Sequence, residues 1–282
     1  DIPAVFFDIQ RCGPATGMPT RTQQADLLSL AYASHGDTKH LVLFPANPNE
    51  CFEMSVESFD LAERFQTPVF VASDLDIGMN DWMVKRLEWD DSYRPDRGKV
   101  LDAAALEQLP RFSRYVDADG SGVAARTLPG VGGKGAYFVR GSGHDKHAAY
   151  TEDSDAYQEV VDRLLRKFRH AAEAMPKPAI HRQPGAEIGL ITIGGCDAAV
   201  REAADLLQAA GTPVNVMRSR GFPFGGEVRE FIDAHERIFV VEQNRDAQLR
   251  SLLAIELELS PTTMTPVLDY GGMPLTAKVV VT

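Results

Sequence analysis

The sequence predicts an α/β fold built from two parallel-sheet units. Short apolar runs rich in β-branched and aromatic residues recur at Ala4–Phe7, Leu41–Phe44 and Pro68–Ala72. Stretches of helical spacing separate them, and the same alternation restarts after a proline-marked break, at Glu187–Ile193. Strands joined by helices of this length form βαβ units, whose ligands sit at the carboxyl ends of the strands. A chain of 282 residues is long enough for two cores.

Ala4–Phe7 reads as a buried strand. Arg11-Cys-Gly-Pro-Ala-Thr-Gly-Met-Pro-Thr20 holds two glycines and two prolines, so it reads as a shaped loop. A helix is expected over Gln23–Ser34, with Leu27, Leu30 and Ala31 on one face and Thr20 or Thr22 as its cap. A glycine-rich turn before a helix start favours anionic partners. His35-Gly36-Asp37 closes the unit with a glycine stop and a titratable pair. After the strand Leu41–Phe44 comes the break Pro45–Pro48, then a helix over Glu50–Phe65 and the strand Pro68–Ala72. The loops Arg11–Thr20, Pro45–Asn49 and Ser73–Asn80 are thereby expected on one edge.

From Asp74 to about Pro178 the pattern is less regular. Asp117-Ala-Asp-Gly-Ser-Gly122 reads as a turn, because a calcium loop needs a later Glu that is missing. Gly130–Gly135 lacks the full phosphate-loop pattern and reads as a surface turn. Tyr157–Met175 is expected to be an amphipathic helix, with Val160, Val161, Leu164, Leu165 and Phe168 inward and its Arg and Lys residues outward. Pro176, Pro178 and Pro184 mark a linker.

In the second unit, Gly194-Gly195-Cys196 turns into a helix over Asp197–Ala210, and a bare glycine turn there could bind an anion. Strands follow at Pro213–Met217 and Arg237–Glu242, helices at Glu227–His235 and Gln248–Leu257. Val267–Tyr270 and Ala277–Val281 read as short strands.

The formal net charge of −11 argues against nucleic acid and against an anionic membrane surface. No apolar run approaches the roughly 20 residues a spanning helix needs. The three cysteines, Cys12, Cys51 and Cys196, are far apart. They form neither an iron–sulfur nor a zinc pattern, and their odd number fits a reducing cytoplasm. His144 and His147 have no ligand-rich neighbours, so no metal is assigned.

Arg11–Thr20, Gln24-Ala-Asp-Leu-Leu28 and His35-Gly36-Asp37 together resemble the α subunit of the 2-oxoacid:ferredoxin oxidoreductases, the 2-oxoglutarate type above all. Gly141–Asp145, Tyr150–Asp153, Phe222-Pro-Phe224, Val241–Asn244 and Gln248-Leu249 extend the likeness along nearly the whole chain. The resemblance implies a truncated thiamine diphosphate-binding domain of the pyrimidine type over residues 1–80. An inter-domain crossing segment would follow over 81–184, and a transketolase C-terminal-like α/β domain over 185–282. The family glutamate that activates the cofactor would lie upstream of Asp1, and a sheet beginning here would leave an open strand edge.

The implied reaction is coenzyme A-dependent oxidative decarboxylation of a 2-oxoacid, with electrons passed to ferredoxin. Thiamine diphosphate with Mg would be shared with a β subunit, which would carry the diphosphate-binding domain and the iron–sulfur cluster of the heterodimer. The expected pocket residues are Arg11, Gly13, Pro14, Thr16, Gly17, Pro19, Thr20, Gly36 and Asp37, with His35 as acid–base candidate. Arg11 would anchor a substrate carboxylate, or else pair with Asp8 or Asp37. Ala15 departs from the family's frequent Ser, removing a donor. Two other readings stand beside this one: a non-catalytic structural or assembly fragment, and another thiamine enzyme of transketolase or E1 type. Cofactor binding separates the first, and a ferredoxin rather than NAD acceptor the second.

Overall fold

The computed structural model describes every residue of the chain except Thr16. The first sheet has five strands in the order β2-β1-β4-β3-β8: β1 (Ala4–Cys12), β2 (Met18–Thr22), β3 (Leu41–Leu43), β4 (Pro68–Asp74) and β8 (Gly221–Phe222). The second has the order β10-β9-β6-β7-β5: β5 (Ala179–His181), β6 (Ile188–Thr192), β7 (Val214–Arg218), β9 (Arg237–Glu242) and β10 (Met264–Leu268). β1, β4 and β3 run parallel, with Ala4 opposite Pro68 and Leu41 opposite Val69. β10, β9, β6 and β7 are likewise parallel. The helices are α1 (Leu27–Ala31), α2 (Pro48–Phe65), α3 (Leu75–Met79), α4 (Ala103–Glu107), α5 (Ser154–Ala174), α6 (Asp197–Ala209), α7 (Gly226–Asp233), α8 (Gln248–Glu256) and α9 (Ala277–Val281). None of them is long and apolar enough to cross a membrane.

β1 departs from the expected buried strand. It is longer, and Phe6, Phe7 and Ile9 are about half exposed. Along Ala4–Gln10 it pairs only with β4, because β2 reaches no further than Arg11 and Cys12. Where a shaped loop was expected, Arg11 and Cys12 end β1 and Met18–Thr20 begin the antiparallel β2, and the register shifts between Arg11 and Cys12. Gly17 has φ +47, and a side chain there would put its Cβ 2.0 Å from the Cys12 carbonyl oxygen, so the tip admits only glycine.

The expected twelve-residue helix after the hairpin shrinks to α1, and Asp26, not Thr20 or Thr22, precedes it. Gln24 and Ala25 are spent on partners from the far end of the chain. The Gln24 N–H donates to the Gln243 carbonyl at 2.8 Å, and Gln248 Nε2 donates to the Ala25 carbonyl at 2.6 Å. Gln248 Oε1 also accepts from the Leu28 N–H, satisfying a helix-start donor from another element.

α5 keeps Phe168 and Leu164 on the expected inward face but adds two cations to it. Arg163, Lys167, Phe168 and Ala171 are buried, while Leu165 is exposed. Burial of the two cations has a local cause: Arg163 Nη2 and Lys167 Nζ reach the Asp1 carboxylate at 2.5 and 2.6 Å. Burial, aided by Arg163 and Arg114, pushes the Lys167 ammonium down to about 7. Asp117–Gly122 is a turn held by an internal cation, Lys99 Nζ, which meets Asp119, Ser121 Oγ and the Val123 carbonyl, each at 2.7 Å.

The proline-marked linker contains β5, an edge strand antiparallel to β7, with Pro176, Pro178 and Pro184 outside its span. The late strand begins earlier than expected, at Met264. Ala277–Val281 is a helix rather than a strand: Val280 packs on the cluster holding Val200 and Ala204 of α6, and that packing overrides β-propensity.

One core cluster crosses both sheets, joining Leu27, Val42, Phe44 and Ala72 to Ile191, Met217, Phe222, Phe231 and Leu249. Polar contacts close the same seam. The expected free anion site at Gly194-Gly195 is filled by the protein itself, for the Asp74 carboxylate accepts from the Gly195 N–H at 3.1 Å. A Cβ on Gly195 would lie 2.9 Å from Asp74 Oδ1. Beside it, Glu50 takes Arg218 in a fork at 2.8 and 2.8 Å, and also Arg220 and the Ala46 N–H. Burial opposes the Glu50 charge, but these donors hold its carboxyl below the usual range. Glu50→Ala leaves the buried Arg218 with Asp197, 3.4 Å away, as its remaining ion-pair partner and is expected to lower the unfolding free energy by about 2 kcal/mol. Urea denaturation measures this, and an unshifted midpoint would refute it.

Candidate functional site

At the carboxyl ends of β1 and β4 the two units enclose a cleft of about 1080 Å³. Asp8, Ile9 and Arg11 of β1, Gly13, Pro14 and Ala15 of the hairpin tip, and Gln23, Ala25 and Asp26 before α1 form one wall with Leu75. Asn244, Arg245, Asp246, Gln248 and Tyr270 form the other. Cleft and strand ends coincide as parallel topology requires.

Asn244 fixes the second wall. Its Nδ2 donates to the Gln24 carbonyl at 2.9 Å and to Glu242 Oε2 at 2.6 Å, while its Oδ1 accepts from the Gln248 N–H. Glu242 is fully buried and accepts the N–H groups of Leu249 and Arg250 at the start of α8. Burial nevertheless keeps its carboxyl above the ordinary range. The hairpin is tied to the loop bearing Tyr270 through the Thr22 N–H and the Gly272 carbonyl, 3.1 Å apart.

Two carboxyls define the electrostatics. Burial first, and repulsion from Asp26 second, raise Asp8 to about 6. Burial also raises Asp26. Asp8 Oδ2 is buried and has no hydrogen-bond partner among the described residues. Asp8 therefore retains a proton more readily than a free carboxylate and can donate it to an acceptor in the cleft. Arg245 is neutralised by Asp246 at 2.7 Å. Arg11 is exposed and, among the described residues, makes no ion pair, so neither Asp8 nor Asp37 claims it.

Of the expected pocket residues, the structure brings Arg11, Gly13 and Pro14 to the cleft. Gly17 is at the hairpin tip, and Pro19 and Thr20 are exposed on β2, outside the lining. Thr16 lies outside the described residues. His35, Gly36 and Asp37 follow the far end of α1, where Tyr32 donates to Glu256 at the end of α8, whereas the cleft lies at the start of α8. Asp8, Asp26 and Gln248 were missed as cleft residues. A period-two signal marked Asp8, since it shares a strand face with the buried Gln10 and Cys12. Cys12 and Cys196 are packed thiols: Cys12 donates to the Thr22 carbonyl and Cys196 to Gln24 Oε1, and burial raises both.

Residues 1–97 match the family described as pyruvate flavodoxin/ferredoxin oxidoreductase, thiamine diphosphate-binding. Subunit α of 2-oxoacid:ferredoxin oxidoreductase 2 from Aeropyrum pernix is 32% identical over 98% of this chain and 42% of its own length. The 2-oxoglutarate synthase subunit KorA of Methanothermobacter marburgensis is 26% identical over 86% of this chain and 63% of its own. The fold is that of the 2-oxoglutarate:ferredoxin oxidoreductase from Magnetococcus marinus, with a TM-score of 0.80 at 24% identity, covering 99% of this chain and 47% of that one. The fold is α/β, and the first 97 residues of the chain match a thiamine diphosphate-binding domain. Along nearly its whole length the chain is similar to the α subunits of the 2-oxoacid:ferredoxin oxidoreductases. It spans less than half the length of the Aeropyrum relative.

Asp8→Asn tests the carboxyl pair. A folded-state pKa above the unfolded value means that ionisation opposes folding once the pH passes the unfolded value. The variant cannot ionise, so its melting temperature is expected to exceed the wild type's at pH 7.5. The gain should vanish at pH 4. Equal differences at both pH values would remove the assignment.

Proposed function

We propose that this chain forms one wall of the active site of a 2-oxoacid:ferredoxin oxidoreductase acting with coenzyme A on a 2-oxoacid, 2-oxoglutarate foremost. The observation that carries the reading is a cleft at parallel strand ends lined by both a protonatable Asp8 and Arg11, which makes no ion pair among the described residues. The relationship to α subunits along 98% of the chain supports it. We assign the chain a partial pyrimidine-type domain at 1–80, a crossing segment at 81–184 and a transketolase C-terminal-like domain at 185–282, in the cytoplasm.

The cleft's donor set suits the heterocyclic end of thiamine diphosphate, since Asp8 offers an uncommitted, raised-pKa carboxyl to a ring nitrogen. Among the described residues no group of three or more His, Cys, Asp or Glu side chains could hold a metal. We assign the diphosphate, its Mg and the iron–sulfur cluster to a β-subunit partner, with ferredoxin as acceptor. When bound, thiamine diphosphate supplies the nucleophilic carbon and the electron sink. Arg11 pairs with the substrate carboxylate, Asp8 holds a proton near the ring, and the Asn244–Gln248 segment keeps the opposite wall in place.

The test is 2-oxoacid-dependent viologen reduction by the complete complex. Activity is expected with 2-oxoglutarate in preference to pyruvate. Arg11→Ala is expected to raise the KM for the 2-oxoacid at least tenfold, roughly the loss of one charge-assisted pair. Unchanged kinetics in that variant would remove the anchor role, and inactivity with every 2-oxoacid would remove the reaction.

A further inference from the structure

A second pocket of about 350 Å³ lies apart from the cleft, between α4 and the crossing segment. Arg111, Arg114, Lys134 and His147 line it, and no carboxylate does among its described lining residues. In a chain of net charge −11 this is a local inversion of sign. Glu107 answers part of it, meeting Lys134 Nζ at 2.5 Å. Arg111 makes no ion pair among the described residues.

Arg114 is the built part of the site. It is only 4% exposed. Its Nη2 donates to Gln66 Oε1 at 2.7 Å and to the Asp1 carbonyl at 3.0 Å, and its guanidinium sits 4.9 Å from the Tyr115 ring centroid. These contacts fix the plane of the group. They leave Nη1 buried with no hydrogen-bond partner. An unpartnered buried donor is costly, and Arg114 is itself one of the residues lining the pocket. Aromatic surface adjoins these cations: Tyr137 lies against Phe112 with ring centroids 5.8 Å apart, and Phe138 is 76% exposed at the pocket. Fixed cationic donors beside exposed rings suit an anion carried on a planar heterocycle.

We propose that this pocket binds a nucleotide-class ligand, with a phosphate group on Arg111, Arg114 and Lys134 and a planar base against Tyr137 and Phe138. The assignment is independent of the reaction in the cleft. Calorimetric titration of the complete protein with AMP, inorganic phosphate and adenosine tests it. Saturable AMP binding is expected, with phosphate and adenosine each weaker. The exposed double variant Arg111→Ala/Lys134→Ala, which leaves the buried Arg114 in place, is expected to weaken AMP by about tenfold or more. Phe138→Ala should weaken AMP while leaving phosphate unchanged. Absence of AMP binding at millimolar concentration, AMP affinity unchanged in the double variant, or phosphate binding as tightly as AMP would each overturn the proposal.

Discussion

The architecture depends on Gln24, a buried amide whose every polar group is spent across the seam between the two sheets. Its N–H and carbonyl pair with Gln243 and Asn244, its Nε2 reaches Asp74 and the Ile193 carbonyl, and its Oε1 faces the Gln243 N–H and Cys196. An amide in a dry interior either has all its partners or is a liability, so its surroundings are specified tightly. Asp74 repeats the logic with a charge. Its carboxylate meets backbone donors at the Gly194-Gly195 turn and the Ile77 N–H at the start of α3. The seam is thus a set of mutually satisfying groups on top of a shared apolar core.

The cleft inherits its geometry from this seam. One wall leaves Gln24 in the direction of β1 and the other leaves Asn244 in the direction of α8. Their separation is fixed by hydrogen bonds about 3 Å long rather than by a hinge loop. Asn244 and Glu242 are accordingly supports, whereas Arg11 and Asp8 line the cleft and make no ion pair among the described residues. The side chains available for chemistry are the ones the fold has not consumed.

The alternation of strands and helices was legible in the sequence because each unit has its own period: β3, α2, β4, β6, α6, β7 and β9 all lie where apolar spacing puts them. What escaped depended on partners remote in sequence. Nothing local distinguishes Ala4–Phe7 as an edge rather than a buried strand, since apolar run length does not count neighbours, and an open edge was expected from the resemblance alone. The short α1 reflects bonds from Gln24 and Ala25 to residues more than two hundred positions away. The inward Arg163 and Lys167 of α5 depart from the hydrophobic pattern because an acidic group meets them there. In the site, Arg11 followed from its motif, whereas Asp26 and Gln248 became visible only once α1 and α8 were set side by side.

The two-residue β8 bears on how the chain is made. Phe222 pairs with Val42, so the edge of the first sheet closes only after β5, β6 and β7 of the second sheet have been synthesised. Until then β3 emerges from the ribosome with a bare flank, and Phe44 waits for the Arg220 carbonyl. Such long-range closure raises contact order and slows the search for the native state. It leaves the nascent N-terminal portion an unfinished sheet during translation, the kind of intermediate that chaperones shield.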